Sequence, residues 1–260
     1  FYGVVHNSVD VIAKIIERDE NLNSPNNKRA AKLRAKTVMF DEMTPSIIMA
    51  GFPMLDWIDI AMSPVCLPGE VDQNANIMYV DAAERMGLAA DVCPLPSAEV
   101  GCAIVDDYPQ VGSSFITSSM PCDGSLGAAL FMDRYMKKLP SFTLTPPQRF
   151  NEPETNAYAV KDLKNCIRFI EETYDVKWDW DAFWKKAEEY NKTTQCMLDK
   201  WDVNCTPYPQ VIGSALSLQR EYEFQTAACL DSFMTKQDEK VTKMMLKGYE
   251  EDREADRRDL

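Results

Sequence analysis

The sequence predicts an α/β fold in which a mainly parallel sheet, flanked by helices, is followed by a helical extension. Between residues 38 and 147, short apolar segments typical of strands alternate with helical patterns, as in a parallel α/β layer. Beyond Arg149 the apolar residues recur at steps of three and four, which is the spacing of one helix face. We therefore expect a Rossmann-like α/β domain over residues 1–150 and a helical hairpin or extension over residues 151–260.

Proline and glycine separate the elements of the first region. Gly87 is expected to close one helix and Pro140 to stop another, because glycine adopts the left-handed conformation and proline cannot continue a helix. The predicted elements are, in chain order, a basic helix at 28–36, a helix at 75–86, a buried strand at 114–120, a helix at 126–138 and a strand at 141–145.

Three long helices are predicted after residue 150. Asn156 is the expected N-cap of the first, and its buried face would carry Leu163, Cys166, Ile167 and Ile170. The second is expected to open at Trp178 and to be broken by Pro207 and Pro209. Its packing seam is predicted to be Phe183, Ala187, Tyr190, Thr194, Met197 and Trp201. The third is predicted from about residue 214 to the end.

The composition argues against several classes of function. The 260 residues are 45% hydrophobic, which is enough apolar material for a sizeable core. The chain has 41 Asp and Glu against 28 Lys and Arg and no basic stripe, so we expect no nucleic-acid partner. No apolar run approaches the about 20 residues of a membrane span. The chain begins at Phe1 without an initiator Met or a signal pattern, so we expect it to be a piece of a longer chain.

Eight cysteines are spread along the chain at irregular spacings, and no C-x-x-C pair is present. They are Cys66, Cys93, Cys102, Cys122, Cys166, Cys196, Cys205 and Cys229. The chain is too large to depend on disulfides, so we expect reduced thiols and a cytoplasmic location. Cys166, Cys196 and Cys229 fall inside helical patterns, where a thiol packs as a small apolar group.

Two cysteines differ from the others in their surroundings. Cys93 comes shortly after the helix that Gly87 closes, and Cys122 lies between the strand at 114–120 and the next helix. A thiolate is stabilised near a helix amino end, and ligands of parallel sheets gather beyond the carboxyl ends of the strands. A thiolate there would bind iron or act as a nucleophile. Two alternatives stay open, which are packing beside loops and a Cys93–Cys122 disulfide in an oxidising compartment.

Two carboxylates lie close to these landmarks in the sequence. Glu70 follows Pro68 and Gly69 after an apolar segment, so it is expected either at a strand end or in a solvated loop. Asp123 follows Cys122 and is expected to cap the next helix.

Four segments together resemble the family of 2-hydroxyacyl-CoA dehydratases and benzoyl-CoA reductases. DVCPLPSAEVG, residues 91–101, is similar to the family pattern D-L-C-S-x-x-R-x-x-x-G, and residues 118–147 are similar to C-D-x(n)-P-x-F-x-L-x-x-P. PVCLPGE, residues 64–70, resembles an apolar strand that ends in P-E, and YPQVIGSALSL, residues 208–218, resembles P-P-x-x-G-x-x-x-L. The order and spacing agree over most of residues 45–220.

The resemblance implies two doubly wound α/β domains with helical additions, the second beginning after residue 260. It also implies a [4Fe-4S] cluster held by three cysteines, of which two correspond to Cys93 and Cys122 and the third lies in that second domain. Such enzymes are heterodimers with a second dehydratase subunit, and an ATP-dependent activator protein supplies one electron. They convert (R)-2-hydroxyacyl-CoA to 2-enoyl-CoA through a ketyl radical, and Glu70 is the candidate for transferring the proton of the leaving hydroxyl.

The sequence departs from the family pattern beside the first cysteine. Pro94 and Ser97 stand where the family has Ser and Arg, so a contact of that arginine with an acidic substrate or thioester is not expected here. Two alternatives to a dehydratase subunit remain open. One is a benzoyl-CoA reductase-type subunit on the same scaffold, and the other is a non-catalytic partner subunit that relays electrons.

Overall fold

The computed structural model describes Ala13, Asp72 and residues 27–40, 46–59, 74–107, 111–119, 124–127, 139–147, 152–211 and 232–259. The chain divides into two compact units. One is Asp19–Trp180, and the other is Asp181–Leu260 together with Phe1–Arg18. The domain boundary near residue 150 stays a prediction, and the first helix beyond it belongs to the unit that contains the sheet.

Four parallel strands form the sheet in the part of the chain that the structure describes. They are β1 (Thr37–Phe40), β2 (Asp56–Asp59), β3 (Ser114–Ser118) and β4 (Ser141–Leu144), in the spatial order β2-β1-β3-β4. Val38 is opposite Trp57 on one side and Ser114 on the other, so β1 is an interior strand. The parallel pairing confirms the predicted class, and β3 and β4 lie where the sequence predicts them.

Helices precede, connect and follow these strands. The helices are α1 (Lys28–Arg34), α2 (Ile77–Arg85), α3 (Pro94–Ile104), α4 (Pro153–Tyr174), α5 (Trp180–Asn204) and α6 (Ser232–Asp259). A 3-10 helix spans Ser46–Gly51, and residues 124–127 are helical. Gly87 follows α2 with a φ of 102°, which confirms the predicted glycine at the end of that helix.

Both faces of the sheet are covered, because successive strand residues point to opposite sides. On one face, Met39 of β1 packs in a cluster with Val100 and Cys102 of α3. On the other face, Val38 packs in a cluster with α4, whose Cys166 is completely buried. Helices on both sides make this the predicted three-layer α/β arrangement.

A glycine allows α3 to lie directly on the backbone of α2. A Cβ atom at Gly101 would stand 1.8 Å from the carbonyl oxygen of Tyr79, so no larger residue fits without moving a helix. This close approach holds α2 and α3 together as one layer on the sheet.

Helix α4 confirms the predicted buried face, but its predicted start is wrong. Cys166 and Ile170 are buried, and Leu163 and Ile167 are partly buried in the same cluster. The helix begins at Pro153 with Glu152 as N-cap, whereas Asn156 lies within the first turns. Proline is favoured at the first helical position, where it has no intrahelical N–H bond to lose.

The predicted seam of α5 is wrong in its second half. Thr194 is exposed and Trp201 is 60% exposed, whereas Thr193, Lys200 and Val203 are buried. The buried face lies one residue away from the predicted seam. The apolar pattern misses this face because it contains Lys200, and lysine is assigned to solvent from sequence. The helix ends at Asn204, before the two prolines, as predicted.

The described residues after 152 contain no strand, in agreement with the predicted helical region. Residues 212–231, where the third helix is predicted to begin, lie outside the described residues, and α6 occupies Ser232–Asp259. Within the described part of the chain, none of the helices has the length and apolar character needed to cross a membrane.

Candidate functional site

The order of the strands reverses between β1 and β3. From β1 the chain adds β2 on one side and then crosses back to add β3 and β4 on the other. At such a reversal the connections leave the two strands in opposite directions, and a crevice opens beyond their carboxyl ends. Ligands of open α/β sheets bind in this crevice. The candidate site therefore lies beyond Phe40 and Ser118, the last residues of β1 and β3.

Strand β3 ends in polar residues at this edge. Thr117, Ser118 and Ser119 are all buried. The Thr117 hydroxyl donates to the Thr143 hydroxyl at 2.9 Å, and the Ser119 N–H donates to the Leu144 carbonyl at 2.9 Å. The carboxyl end of β3 therefore supplies buried hydroxyl groups in a place where an apolar strand would supply none.

Cys93 is exposed and immediately precedes α3. Cys93 is the N-cap residue of α3. The element before Cys93 is the helix α2, as predicted, so residues 86–93 connect two helices and Cys93 does not follow a strand. The residue is exposed, and its side chain makes no capping hydrogen bond to α3.

The first turn of α3 offers fewer backbone donors than an ordinary helix start. Pro94 and Pro96 have no N–H, so Leu95 carries the only N–H among the first three helical positions. The Ser97 N–H donates to the Cys93 carbonyl at 3.3 Å, and the Ser97 hydroxyl donates to the same oxygen at 2.9 Å. The amino end of α3 therefore offers few backbone donors to a group bound at Cys93.

Two other cysteines of this unit are buried as neutral thiols. Burial, and then the negative charge of Asp107, raises the pKa of the Cys102 thiol to about 12. Burial, followed by the charge of Asp162, raises the pKa of the Cys166 thiol to about 12. Because the thiolate is the form that binds metals, neither is suited to be a ligand. In the other unit, Cys196 is half-buried and Cys205 is exposed.

A polar cluster beside Cys102 is absent from the sequence prediction. The Tyr79 hydroxyl donates to the Asp107 carboxylate at 3.4 Å. Burial, followed by the effects of the neighbouring Cys102 and of the Asp107 carboxylate, raises the pKa of Tyr79 to about 12. Glu99, also on α3, is buried at 5% exposure. The signal available in the sequence is the position of Glu99 inside the apolar stretch PLPSAEVGCAI, which predicts that its carboxylate is buried. A buried carboxylate is rare unless partners hold it.

Three of the predicted site residues lie outside the described residues, namely Glu70, Cys122 and Asp123. The juxtaposition of Cys93 with Cys122, and the position of Glu70 beside them, therefore stay predictions. Among the residues that the structure describes, no group of three or more His, Cys, Asp or Glu side chains is arranged to hold a metal ion.

The comparison with known proteins identifies the family. Residues 69–251 match the family model described as 2-hydroxyglutaryl-CoA dehydratase, D-component. No curated protein matches the chain. Because the match covers more than half of the sequence, the chain belongs to the 2-hydroxyglutaryl-CoA dehydratase D-component family. This confirms the resemblance drawn from the motifs, and the word component implies a partner subunit in a complex.

Proposed function

We propose that the chain is a subunit of a [4Fe-4S] enzyme that eliminates water from 2-hydroxyacyl-CoA and forms 2-enoyl-CoA. The observation that carries the proposal is the exposed thiol of Cys93 at the amino end of α3, in a member of a dehydratase component family. The family description, which names a dehydratase, favours water elimination over reduction of an aromatic ring.

Two cysteines of the sheet unit are the proposed ligands of the cluster, and the structure describes one of them, Cys93. Thiolates hold [4Fe-4S] clusters, and Cys93 is the exposed thiol among the cysteines described in this unit. Cys122 follows the last residue of β3 by four positions. A crossover helix such as α3 runs antiparallel to the strands that it connects, so its amino end is expected at the carboxyl edge of the sheet. Cys93 and Cys122 would then hold the cluster from one edge.

Side chains that carry oxygen atoms would transfer the proton and bind the thioester. When bound, a [4Fe-4S] cluster supplies a single electron at low potential, which suits the removal of an unactivated β-hydrogen. Glu70 would hold the proton that joins the leaving hydroxyl to make water. Thr117 and Ser119, which lie on one face of the sheet, would place polar groups beside the thioester and keep bulk water from it.

Two further proteins complete the proposed reaction system. The partner subunit would form a heterodimer with this chain, and an ATP-dependent activator protein would deliver the electron. The exposed reduced thiols of Cys93 and Cys205 fit a reducing compartment, and we propose the cytoplasm.

Anaerobic iron analysis of cysteine variants tests the proposal. Cys93→Ala and Cys122→Ala are each expected to lower the iron content of the full chain while its helical signal is kept. Cys205→Ala, which removes an exposed thiol from the other unit, is the matched control and is expected to keep the iron. Unchanged iron in both site variants would refute the cluster assignment. Anaerobic turnover of 2-hydroxyacyl-CoA against benzoyl-CoA then separates dehydration from ring reduction.

A second candidate, an electron-relaying subunit, is favoured by the environment of Ser97. Where the family pattern has arginine, Ser97 is buried at 3% exposure and bonds the Cys93 carbonyl, so position 97 presents no cation to a substrate. The relay predicts a cluster spectrum that stays unchanged when 2-hydroxyacyl-CoA is added to the complex. A substrate-induced change that disappears in Cys93→Ala would rule the relay out.

A further inference from the structure

The chain that follows α5 lies along α6. Residues 206–211 contain neither helix nor strand, yet Gln210 is 8% exposed and Val211 is 1% exposed. They include the start of YPQVIGSALSL, the family-like segment to which the proposed chemistry assigns no role. The contacts of residues 206–211 therefore indicate what the beginning of this segment does.

Two alternate side chains of the segment bind α6. The Gln210 side-chain amide donates to the Asp252 carboxylate at 2.9 Å, and the Tyr208 hydroxyl donates to the Asp256 carboxylate. The Tyr208 ring also lies beside the Tyr249 ring, with 6.2 Å between their centroids. The earlier residue of the segment contacts the later residue of the helix, so the segment runs antiparallel to α6.

The spacing of these contacts matches the geometry of the two backbones. Pro209 restricts Tyr208 to extended conformations, in which residues two apart are separated by about 6–7 Å. Residues four apart in a helix advance by about 6 Å along its axis. Tyr208 and Gln210 therefore reach Asp256 and Asp252, which lie four residues apart on α6.

A glycine of α6 makes room for the Gln210 side chain. A Cβ atom at Gly248 would stand 2.1 Å from Oε1 and 3.0 Å from Cδ of Gln210, so alanine and the amide cannot occupy this place together. Gly248 lies inside α6, where glycine makes a helix less stable than alanine does. The docking of Gln210 gives a physical reason for this unfavourable residue.

Asn204, the last residue of α5, holds the same segment from the other side. Its side-chain oxygen accepts hydrogen bonds from the Gln210 N–H at 3.1 Å and from the Val211 N–H at 3.3 Å. Gln210 is thus attached to α5 through its backbone and to α6 through its side chain. One residue joins the two helices.

We propose that residues 206–211 form a strap, a conformational device that ties the end of α5 to α6 and uses Gly248 as the seat of the Gln210 side chain. The strap gives the family-like segment a fixed starting point and direction, because Tyr208 and Gln210 set its alignment on α6. Gly248 and Gln210 act as one unit, so filling the seat and shortening the side chain release the strap to the same extent. This role does not depend on the chemistry proposed for the chain.

Hydrogen exchange of the full chain, measured by NMR, tests the strap. The Val211 N–H exchanges when its bond to Asn204 opens, so its rate reports the release of the strap. Gly248→Ala is expected to raise this rate by about fivefold or more, because the new methyl group displaces the Gln210 amide. Gln210→Ala is expected to raise it to a similar extent, and the two substitutions together are expected to add no further increase. The amides of α5 and α6 should keep their protection in all three variants.

Variants at neighbouring positions of α6 provide the controls. Lys247→Ala, at an exposed position next to the seat, is expected to leave the Val211 rate unchanged. Asp252→Asn retains an oxygen that accepts from the Gln210 amide and is expected to keep the parent rate, whereas Asp252→Ala is expected to raise it.

A parent-like Val211 rate in Gly248→Ala would overturn the assignment of the seat. Increases that multiply in the double variant would show that Gly248 and Gln210 act separately, and would overturn their joint role. If Gly248→Ala changes the protection of α6 itself, Gln210→Ala decides the matter, and a parent-like Val211 rate in that variant would overturn the strap.

Discussion

The Tyr174 hydroxyl donates a hydrogen bond to the carbonyl oxygen of Thr37 at 2.9 Å, across 137 positions of the sequence. The same hydroxyl is hydrogen-bonded to Ser113 at 3.1 Å and to Ser114 at 2.7 Å. The last residue of α4 thus joins the first residue of β1 to the start of β3. This one side chain connects the helix layer to the amino edge of the sheet.

Tyr174→Phe is expected to destabilise the protein by about 1–2 kcal/mol, because buried hydroxyl and carbonyl groups lose a partner. Urea unfolding measures the loss. Tyr158→Phe is the matched control. Its hydroxyl bonds Thr145 at 3.0 Å in an exposed position, and its removal should cost about 0.5 kcal/mol or less. Equal losses in the two variants would contradict the role of Tyr174.

Gly101→Ala is expected to cost about 3 kcal/mol or more, since the new methyl would overlap the backbone of α2. The carbonyl oxygen of Tyr79, 1.8 Å from that position, belongs to a helix and cannot turn aside as a side chain does. Thermal unfolding of Gly127→Ala provides the comparison, because a Cβ there meets no atom within 4 Å. A Gly101→Ala variant as stable as the Gly127→Ala variant would show that α2 and α3 are not in close contact.

The buried thiol of Cys166 is expected to make stability fall at alkaline pH. Its pKa is raised from 9.0 to about 12 by burial, so the folded state keeps a proton that the unfolded state releases. The stabilisation is complete below pH 9 and is lost as pH rises from 9 through 12, by up to about 1.4 kcal/mol per pH unit.

Urea midpoints between pH 8 and 11 measure this dependence. Cys166→Ala costs packing at every pH, but it should flatten the decline above pH 9. Cys205→Ala, at an exposed position, should leave the slope as it is in the parent. Parallel slopes for the parent and for Cys166→Ala would contradict the raised pKa.

The sequence predicted those parts of the fold that carry strong local signals. β3 and β4 are bounded by turn residues, α2 ends at Gly87, and the face of α4 repeats with helical spacing. The sequence does not predict β1, because TVMF has four residues buried on both faces and shows no alternation. It does not predict α3 either, because Pro94 and Pro96 indicate breaks, although a first helical turn tolerates both.

The sequence predicts which types of residue form the candidate site, but it predicts their arrangement in space only in part. The position of Cys93 after the helix that Gly87 closes is predicted, whereas the helix that begins directly after it is not. Glu99 and Lys200 were missed for one physical reason. A charged residue is assigned to solvent from sequence, and only the tertiary structure reveals partners that allow its burial.

Alkylation with iodoacetamide should distinguish Cys93 from the buried cysteines that the structure describes in the sheet unit. In the reduced, metal-free full chain at pH 8, the exposed thiols of Cys93 and Cys205 are expected to react, whereas Cys102 and Cys166 are expected to stay unmodified. Both of the latter are buried, and their pKa of about 12 leaves almost no thiolate at that pH. Peptide mass spectrometry measures the alkylation of each of these cysteines in one experiment.

Anaerobic reconstitution with iron and sulfide should then protect Cys93 alone of the two reactive residues. A thiolate bound to iron cannot attack the reagent, so modification of Cys93 is expected to fall at least tenfold as iron is taken up. Cys205 lies in the other compact unit and reports any general loss of reactivity, so its modification should stay constant. Iron uptake with Cys93 still fully alkylated would place the cluster on other thiols, and equal protection of both residues would point to non-specific iron sulfide deposition.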